Sequence, residues 1–445
     1  MRLLLLGMVA IFCSSAATPE EQALQISLDI QARHTPFGTI LNPYYVSPVS
    51  SEVQTYTRCG DSAIWTGHWL ASEAFRYKVT RSSESLDAAK RALRAIRLLV
   101  EVTGSNNLLA RCALRTDSPF SAGPRSEEKS HGEYLGKFEN TDYYWIGNTS
   151  RDQYLGVFFG LSAAYESIAD PSIRETITDL ATRLLDRLIA KNWAIVMPDG
   201  DISTVFWLRP DQELAIRQVG RQVNPDRFGK GYEDKRRDTG GLNIIMAFEA
   251  SDENGSYFKF NLNAISWYTL IHLEEPESPK RSEYLSAYRV FRNAVVNHGN
   301  AFFNVVDRAL TGPEARRDAE TLDLMSQWLL RPKRDPFIDL RGKYRACGEN
   351  RACDPIPVVE RVSTDFLWQR SPFQLYGGGT GQIESPGIDY ILPYWMGRAF
   401  ELDFNLLAVS AASGRPGLAP DSIATIYGSG FTEGSQIRVT DSAGS

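Results

Sequence analysis

Two kinds of helical segment alternate along this chain, and the alternation narrows what it can fold into. In SSESLDAAKRALRAIRLLVEVTG, Leu86, Ala89, Leu93, Ile96 and Val100 recur at the 3.6-residue period, which makes one face apolar and the other polar. DPSIRETITDLATRLLDRLIAKNW repeats the pattern. Asp170 is placed to cap it, Pro171 sits at its first helical position, and Ile173, Ile177, Leu180, Leu184 and Leu188 form the stripe. RSEYLSAYRVFRNAVVNHG has the same character. Each of the first two follows a different kind of segment: DSAIWTGHWLASEAFRYKV and SRDQYLGVFFGLSAAYESI are rich in small and aromatic residues and poor in charge. A helix that is apolar nearly all round must be buried on most sides. Short links make each pair an antiparallel hairpin. The expected fold is all-α: an inner ring of buried helices within an amphipathic ring, an (α/α) toroid spanning 18–412. Three long polar stretches, roughly 104–150, 193–239 and 332–388, are expected as loops, and loops of such length are usually functional.

The first residues have the order of a secretory leader: Arg2, the apolar run LLLLGMVAIF, then small residues with a cleavage position after Ala17. That run is too short to span a membrane, and no later segment approaches the ~18 apolar residues required. The expectation is an exported protein, secreted, periplasmic or on the cell surface. Beyond the leader stand Cys59, Cys112, Cys347 and Cys353, an even number for an oxidising compartment. CGENRAC sets Cys347 and Cys353 around a tight loop and points to a local disulfide; the sequence leaves open whether Cys59 and Cys112 are paired. Neither a CxxC pair nor a clustered set of histidines occurs, so no metal and no cofactor is expected. A formal net charge of −6 without a basic block argues against nucleic acid as a partner.

Four aspartates stand at the presumed starts of buried helices: Asp61, Asp152, Asp238 and Asp389. Each is open to two readings. A carboxylate at a helix start can cap it and complement its dipole. Capping needs no aromatic neighbours, however, and Trp65, Tyr144, Trp145 and Trp368 lie close to these segments. Flat aromatic faces suit the C–H faces of sugars in a cleft. Glycoside cleavage needs two carboxyl groups, one protonated and one acting as base or nucleophile. Asp61 and Asp152 are the first pair, with Asp389 and Glu384 in reserve. Ser150, two residues before Asp152, is placed to cap that helix and free the Asp152 carboxylate. Arg151 and Arg370 are candidates for an acidic sugar's carboxylate or for structural ion pairs. His131, in a polar loop, is the freer of the candidate histidines.

DSAIWTGHWLASEAFRYKVT, TSRDQYLGVFFGLSAAYE and DYILPYWMGR resemble the inner helices of the six-hairpin glycosidase superfamily, whose members include unsaturated glucuronyl hydrolases. The resemblance implies an oligo- or polysaccharide substrate and Asp and Glu side chains at one mouth of the ring. The closing stretch, 413–445, changes composition and resembles the first strands of Ig-like domains of the IPT/TIG type, which implies a partial β segment. The leading expectation is thus a glycoside hydrolase. Its alternatives are a polysaccharide lyase on the same fold and a non-catalytic glycan-binding or surface scaffold.

Overall fold

The structure is a computed structural model that describes residues 17–238, 241–251, 257–362, 365–404, 407–410 and 424–427. The leader, apart from Ala17, lies outside the described residues, as does most of 413–445. Fourteen α-helices occur among the described residues. They are α1 (Pro19–Asp29), α2 (Ser62–Thr80), α3 (Ser83–Glu101), α4 (Ala122–Glu127), α5 (Arg151–Ser167), α6 (Pro171–Ala190) and α7 (Pro210–Val223), followed by α8 (Pro225–Lys235), α9 (Leu242–Ser251), α10 (Lys259–His272), α11 (Pro279–Val295), α12 (Ala301–Thr311), α13 (Ala315–Leu329) and α14 (Ile388–Ala399). None is long and apolar enough to cross a membrane.

The all-α toroid expectation is corrected by the strands. Over the described residues the protein is a mixed α/β structure, 57% helix and 12% strand, with small antiparallel sheets scattered among the helices. A three-stranded sheet, in the order β3-β5-β4, is built from β3 (Cys112–Arg115), β4 (Glu133–Phe138) and β5 (Thr141–Ile146). The two-stranded sheets pair β1 (Asn42–Tyr45) with β2 (Val53–Thr57), β6 (Ala194–Val196) with β7 (Ile202–Val205), β8 (Ile338–Asp339) with β11 (Tyr376–Gly377), β9 (Ala346–Gly348) with β10 (Arg351–Ala352), and β12 (Leu407–Ser410) with β13 (Ala424–Tyr427). The physical reason lies in the stretches expected as loops. Glu133–Phe138 and Thr141–Ile146 carry alternating exposure, and Glu139 and Asn140 join them in left-handed conformation with φ of 46° and 65°. Two consecutive residues of positive φ make the tight turn whose twist matches paired strands. The toroid was expected to run to residue 412, but helix ends before that among the described residues. Helix α14 stops at Ala399, because Glu401 turns left-handed and donates to Arg398 O while Leu402 N donates to Gly397 O at 2.8 Å, which closes the helix end. Leu407–Ser410 then pairs with Ala424–Tyr427, so the first strand of this hairpin precedes the expected boundary at 412 and the second follows it.

The helices themselves follow from their sequences. Asp170 caps α6 by accepting from Ser172 N and Ile173 N with Pro171 in the first turn, and all five stripe residues of α6 are buried. Ser82 caps α3 in the same way. Every residue of α2 from Ser62 to Arg76 is buried, and every residue of α10 from Lys259 to Ile271. Helices so enclosed must approach one another closely. A Cβ on Gly67 of α2 would lie 2.1 Å from the Gly156 carbonyl oxygen of α5, and one on Gly160 would lie 2.3 Å from the Gly67 carbonyl oxygen. The two helices therefore meet backbone to backbone. They run parallel: Ile64 N donates to Gln153 Oε1 near their starts, and Lys78 pairs with Glu166 near their ends. Helix α10 joins in the same direction, with Asn261 beside His68 and His272 beside Glu166. Three helix starts are thus brought to one place.

The glycine contact yields a direct expectation. Gly67→Ala forces a methyl group into the α5 backbone and should destabilise the protein by about 2–3 kcal/mol in urea denaturation, within the range of overpacked cores. Gly229→Ala in α8, where a Cβ meets nothing within 4 Å, should be neutral or stabilising by up to about 1 kcal/mol. Equal effects from the two substitutions would contradict the packing described.

Candidate active site

The site begins with a clamped glycine. Arg58, in left-handed conformation at φ 67°, leads into the single 3-10 turn Cys59–Asp61. Gly60 N donates to Glu128 Oε1 at 2.9 Å, and Gly60 O accepts from Arg111 Nη1 at 2.8 Å and from Gln153 Nε2 at 3.2 Å. A Cβ at Gly60 would stand 2.7 Å from the Glu128 carboxylate, so a larger residue would have to displace the group that holds the Gly60 N–H. Cys59 is disulfide-bonded to Cys112 at the start of β3, which ties the turn to the three-stranded sheet. Cys347 and Cys353 form a second, local disulfide. The clamp leaves the next residue, Asp61, at the N-cap position of α2 with no capping hydrogen bond from its side chain. Asp152 lies in the first turn of α5. Ser150 stands at the N-cap of α5 and also makes no side-chain cap, so its expected capping role is corrected: Ser150 is present, but its hydroxyl is not used for that bond.

Asp61 and Asp152 line one cleft of about 400 Å³ together with Ile64, Trp65, Phe258, Asn261, Leu262 and Gln369. Among the described residues neither carboxylate is ion-paired, and the one side-chain hydrogen bond to either is a long 3.4 Å approach of Gln153 Nε2 to Asp61 Oδ1. Burial pushes the Asp61 carboxyl up to about 6; Arg111 opposes the rise, while the like charges of Asp152 and Asp365 add to it. Burial also raises Asp152, against the nearby Arg151 and Arg111. A carboxyl group that keeps its proton into the mildly acidic range beside a second carboxylate is an arrangement suited to acid–base chemistry.

The other expected site residues are placed elsewhere. Asp389 is 4% exposed, accepts from Leu367 N at 2.9 Å and faces Arg331 at 3.6 Å; it belongs to the interior rather than to the Asp61 cleft. Glu384, 5% exposed, accepts from Tyr45 Oη and lies against Arg33 and His34. Burial would raise its carboxyl, but His34, Arg33 and Tyr45 outweigh burial and hold it below the ordinary range, which removes it as a proton donor. It lines a separate cleft of about 730 Å³ with Arg33, Trp328 and Lys333. Trp145 is 2% exposed and stacks on Tyr134 at 4.3 Å, and Trp368 is fully buried against Trp65, Phe302 and Phe366; both are core rather than binding faces. Tyr144 lies under the Arg125 guanidinium at 3.6 Å. Arg151 donates to Val205 O, and burial together with nearby Arg209 pulls its pKa down. Arg370 pairs with Asp365. His131 Nδ1 lies 2.6 Å from Glu128 Oε2, behind the Gly60 clamp. Trp65 alone of the expected aromatics lines the cleft. Asp238 has a side chain outside the described residues. No group of three or more His, Cys, Asp or Glu side chains able to hold a metal ion occurs among the described residues.

No family model matches this sequence, and no curated protein matches it either. The geometry must therefore speak for the site. Five cleft residues escaped the sequence reading: Ile64, Phe258, Asn261, Leu262 and Gln369. Asn261 and Leu262 sit on a helix whose apolar pattern hides which residues of its first turn line the cleft. The one available signal was that α10, like α2 and α5, is apolar all round and so has its start beside theirs.

Asp61 carries a stability consequence whose sign follows from its raised pKa. Below about pH 4 the group is protonated both folded and unfolded and makes no difference. Between about pH 4 and 6 the unfolded chain ionises first, so the folded protein loses stability as pH rises. Asp61→Asn removes that loss. The variant should be more stable than wild type at pH 8 by about 1 kcal/mol, a figure reduced for partial solvent exposure, with the difference vanishing near pH 4. Chemical denaturation at the two pH values measures it, and a variant less stable at pH 8 than at pH 4, relative to wild type, would contradict the buried-acid description.

Proposed function

We propose that this protein is an exported glycan-acting enzyme, a glycoside hydrolase in which Asp61 is the general acid and Asp152 its partner carboxylate. The observation that carries the reading is the pair itself: two carboxylates without ion partners share a cleft, and one holds its proton up to about pH 6. Glycoside cleavage asks for that division of labour. Protonated Asp61 donates to the glycosidic oxygen as the bond to the anomeric carbon breaks. Asp152, with Arg151 and Arg111 opposing its neutralisation, meets the developing positive charge either as nucleophile or as the base that activates water.

The walls fit a sugar. Phe258, 41% exposed, and the edge of Trp65 offer apolar surface, and the Asn261 and Gln369 amides offer donors and acceptors for hydroxyl groups. The cleft does not end there. A narrower one of about 240 Å³ shares Asp61, Trp65 and Gln369 with it, and shares Asp365 and Ser385 with the 730 Å³ cleft beyond. Shared lining residues place the two larger clefts side by side, with the narrow one as a constriction between them. Two disulfides support an oxidising compartment. The resemblance of the buried helices to those of six-hairpin glycosidases supports the same substrate class.

A polysaccharide panel incubated with the purified protein, read for new reducing ends and for ultraviolet absorbance of unsaturated products, tests the reading. Reducing ends without that absorbance are expected. Asp61→Asn and Asp152→Asn should each lower kcat by about 10²–10⁴-fold with the fold retained by circular dichroism. Retained turnover in Asp152→Asn, or unsaturated products, would rule out the proposed chemistry.

A further inference from the structure

Asp365 was not among the candidate residues, yet it stands on the wall of the narrower cleft with Arg58, Asp61, Trp65 and Gln369. Its side chain is buried, and each oxygen is taken: Arg58 Nη2 lies 3.2 Å from Oδ1, and Arg370 Nε donates to Oδ2 at 2.7 Å. The Arg58 backbone is held on the turn that leads into Asp61, its N donating to Glu127 Oε2 at 3.0 Å. Arg370 is largely exposed. A carboxylate gripped on both oxygens is a well-anchored charge.

The groups facing Asp61 come from every element around it. Arg111 precedes β3, Asp152 and Gln153 open α5, Asn261 opens α10, and Asp365 and Gln369 belong to the segment before α14. Arg111 favours the Asp61 anion, and Gln153 does so weakly; Asp152 and Asp365 disfavour it. Asp152 has its own place in the chemistry, which leaves Asp365, among the described residues that line the narrower cleft, as the carboxylate beside Asp61 that arginines anchor.

We propose that Asp365 is a positioning residue: a fixed anion, held by Arg58 and Arg370 beside Asp61, that keeps the proton on Asp61 without touching the substrate. Its value to catalysis rests on the hydrolase reading of Asp61, but the charge coupling between the two aspartates can be measured without any substrate. Failure of the two ideas is therefore distinguishable: absence of turnover sinks the hydrolase reading, whereas the coupling stands or falls on a titration.

The experiment follows the Asp61 carboxyl carbon by NMR in the full-length protein labelled with [4-13C]aspartate, with its resonance assigned by its loss in Asp61→Asn. In Asp365→Asn the Asp61 midpoint should fall by about half a pH unit or more, since a like charge is gone and Arg58 is left unbalanced. Arg370→Gln, at an exposed position, carries the test even where Asp365→Asn fails to fold, and should move the midpoint the opposite way, because it leaves Asp365 less neutralised. Simple loosening of the fold would lower the midpoint in both variants by admitting water. Opposite shifts support the proposal. An unchanged or raised midpoint in Asp365→Asn, or an unchanged or lowered one in Arg370→Gln, overturns it.

Discussion

The close contact between α2 and α5 is the constraint on which the rest of the site depends. Gly67, Gly156 and Gly160 remove the side chains that would hold the two helices apart, and a single Cβ at any of them meets backbone or the Ile64 side chain at 2.1–2.5 Å. With side chains in between, the helices would sit at the usual spacing of 8–10 Å between axes. Parallel alignment at such short range puts both N-terminal ends side by side. The aspartates at those ends are then neighbours by construction, and Gln153 bridges the ends by accepting from Ile64 N while donating to Gly60 O.

Placement at helix starts also settles the electrostatics. The unpaired N–H groups of a helix start favour a nearby carboxylate anion. Burial works against it, and at Asp61 burial wins, with two more carboxylates adding to the rise. The disulfide from Cys59 to Cys112, the Gly60 clamp and the Arg111 hydrogen bonds keep the turn rigid against these opposing pulls. Rigid placement of the acid relative to its partner is what transfers binding geometry into chemistry.

Some of this was legible in the residues. The α5–α6 pair shows how: an all-round apolar helix precedes an amphipathic one whose cap, proline and stripe could each be named from DPSIRETITDL. The starts of α2 and α5, and hence Asp61 and Asp152, were placed by the same logic. The strand at Ala424–Tyr427 falls in the closing stretch expected to carry a β segment, but the other sheets were not legible, because the β4–β5 hairpin turns on Glu139 and Asn140 rather than on an Asn-Gly pair, and because strands of two to six residues leave little period to read. Nor were the fates of Glu384 and Asp389. Both look alike in ESPGIDY, and only partners far away in sequence, Arg33, His34 and Tyr45 for one and Arg331 and Leu367 for the other, decide that each is structural. Trp368 reads as loop, yet its ring packs against Trp65 and Phe302 from helices distant in sequence. Tertiary contact, not local pattern, assigned these side chains.

The account rests on Asp61 delivering a proton while Asp152 is charged. The pH dependence of kcat/KM on the polysaccharide that is turned over tests this most directly, because it reports the ionisations of the free enzyme. The account predicts a bell whose alkaline limb falls with a midpoint near pH 6, where Asp61 loses its proton. A rate that is level or rising between pH 6 and 8 would show that the proton comes from another group, and the assignment of Asp61 would be wrong.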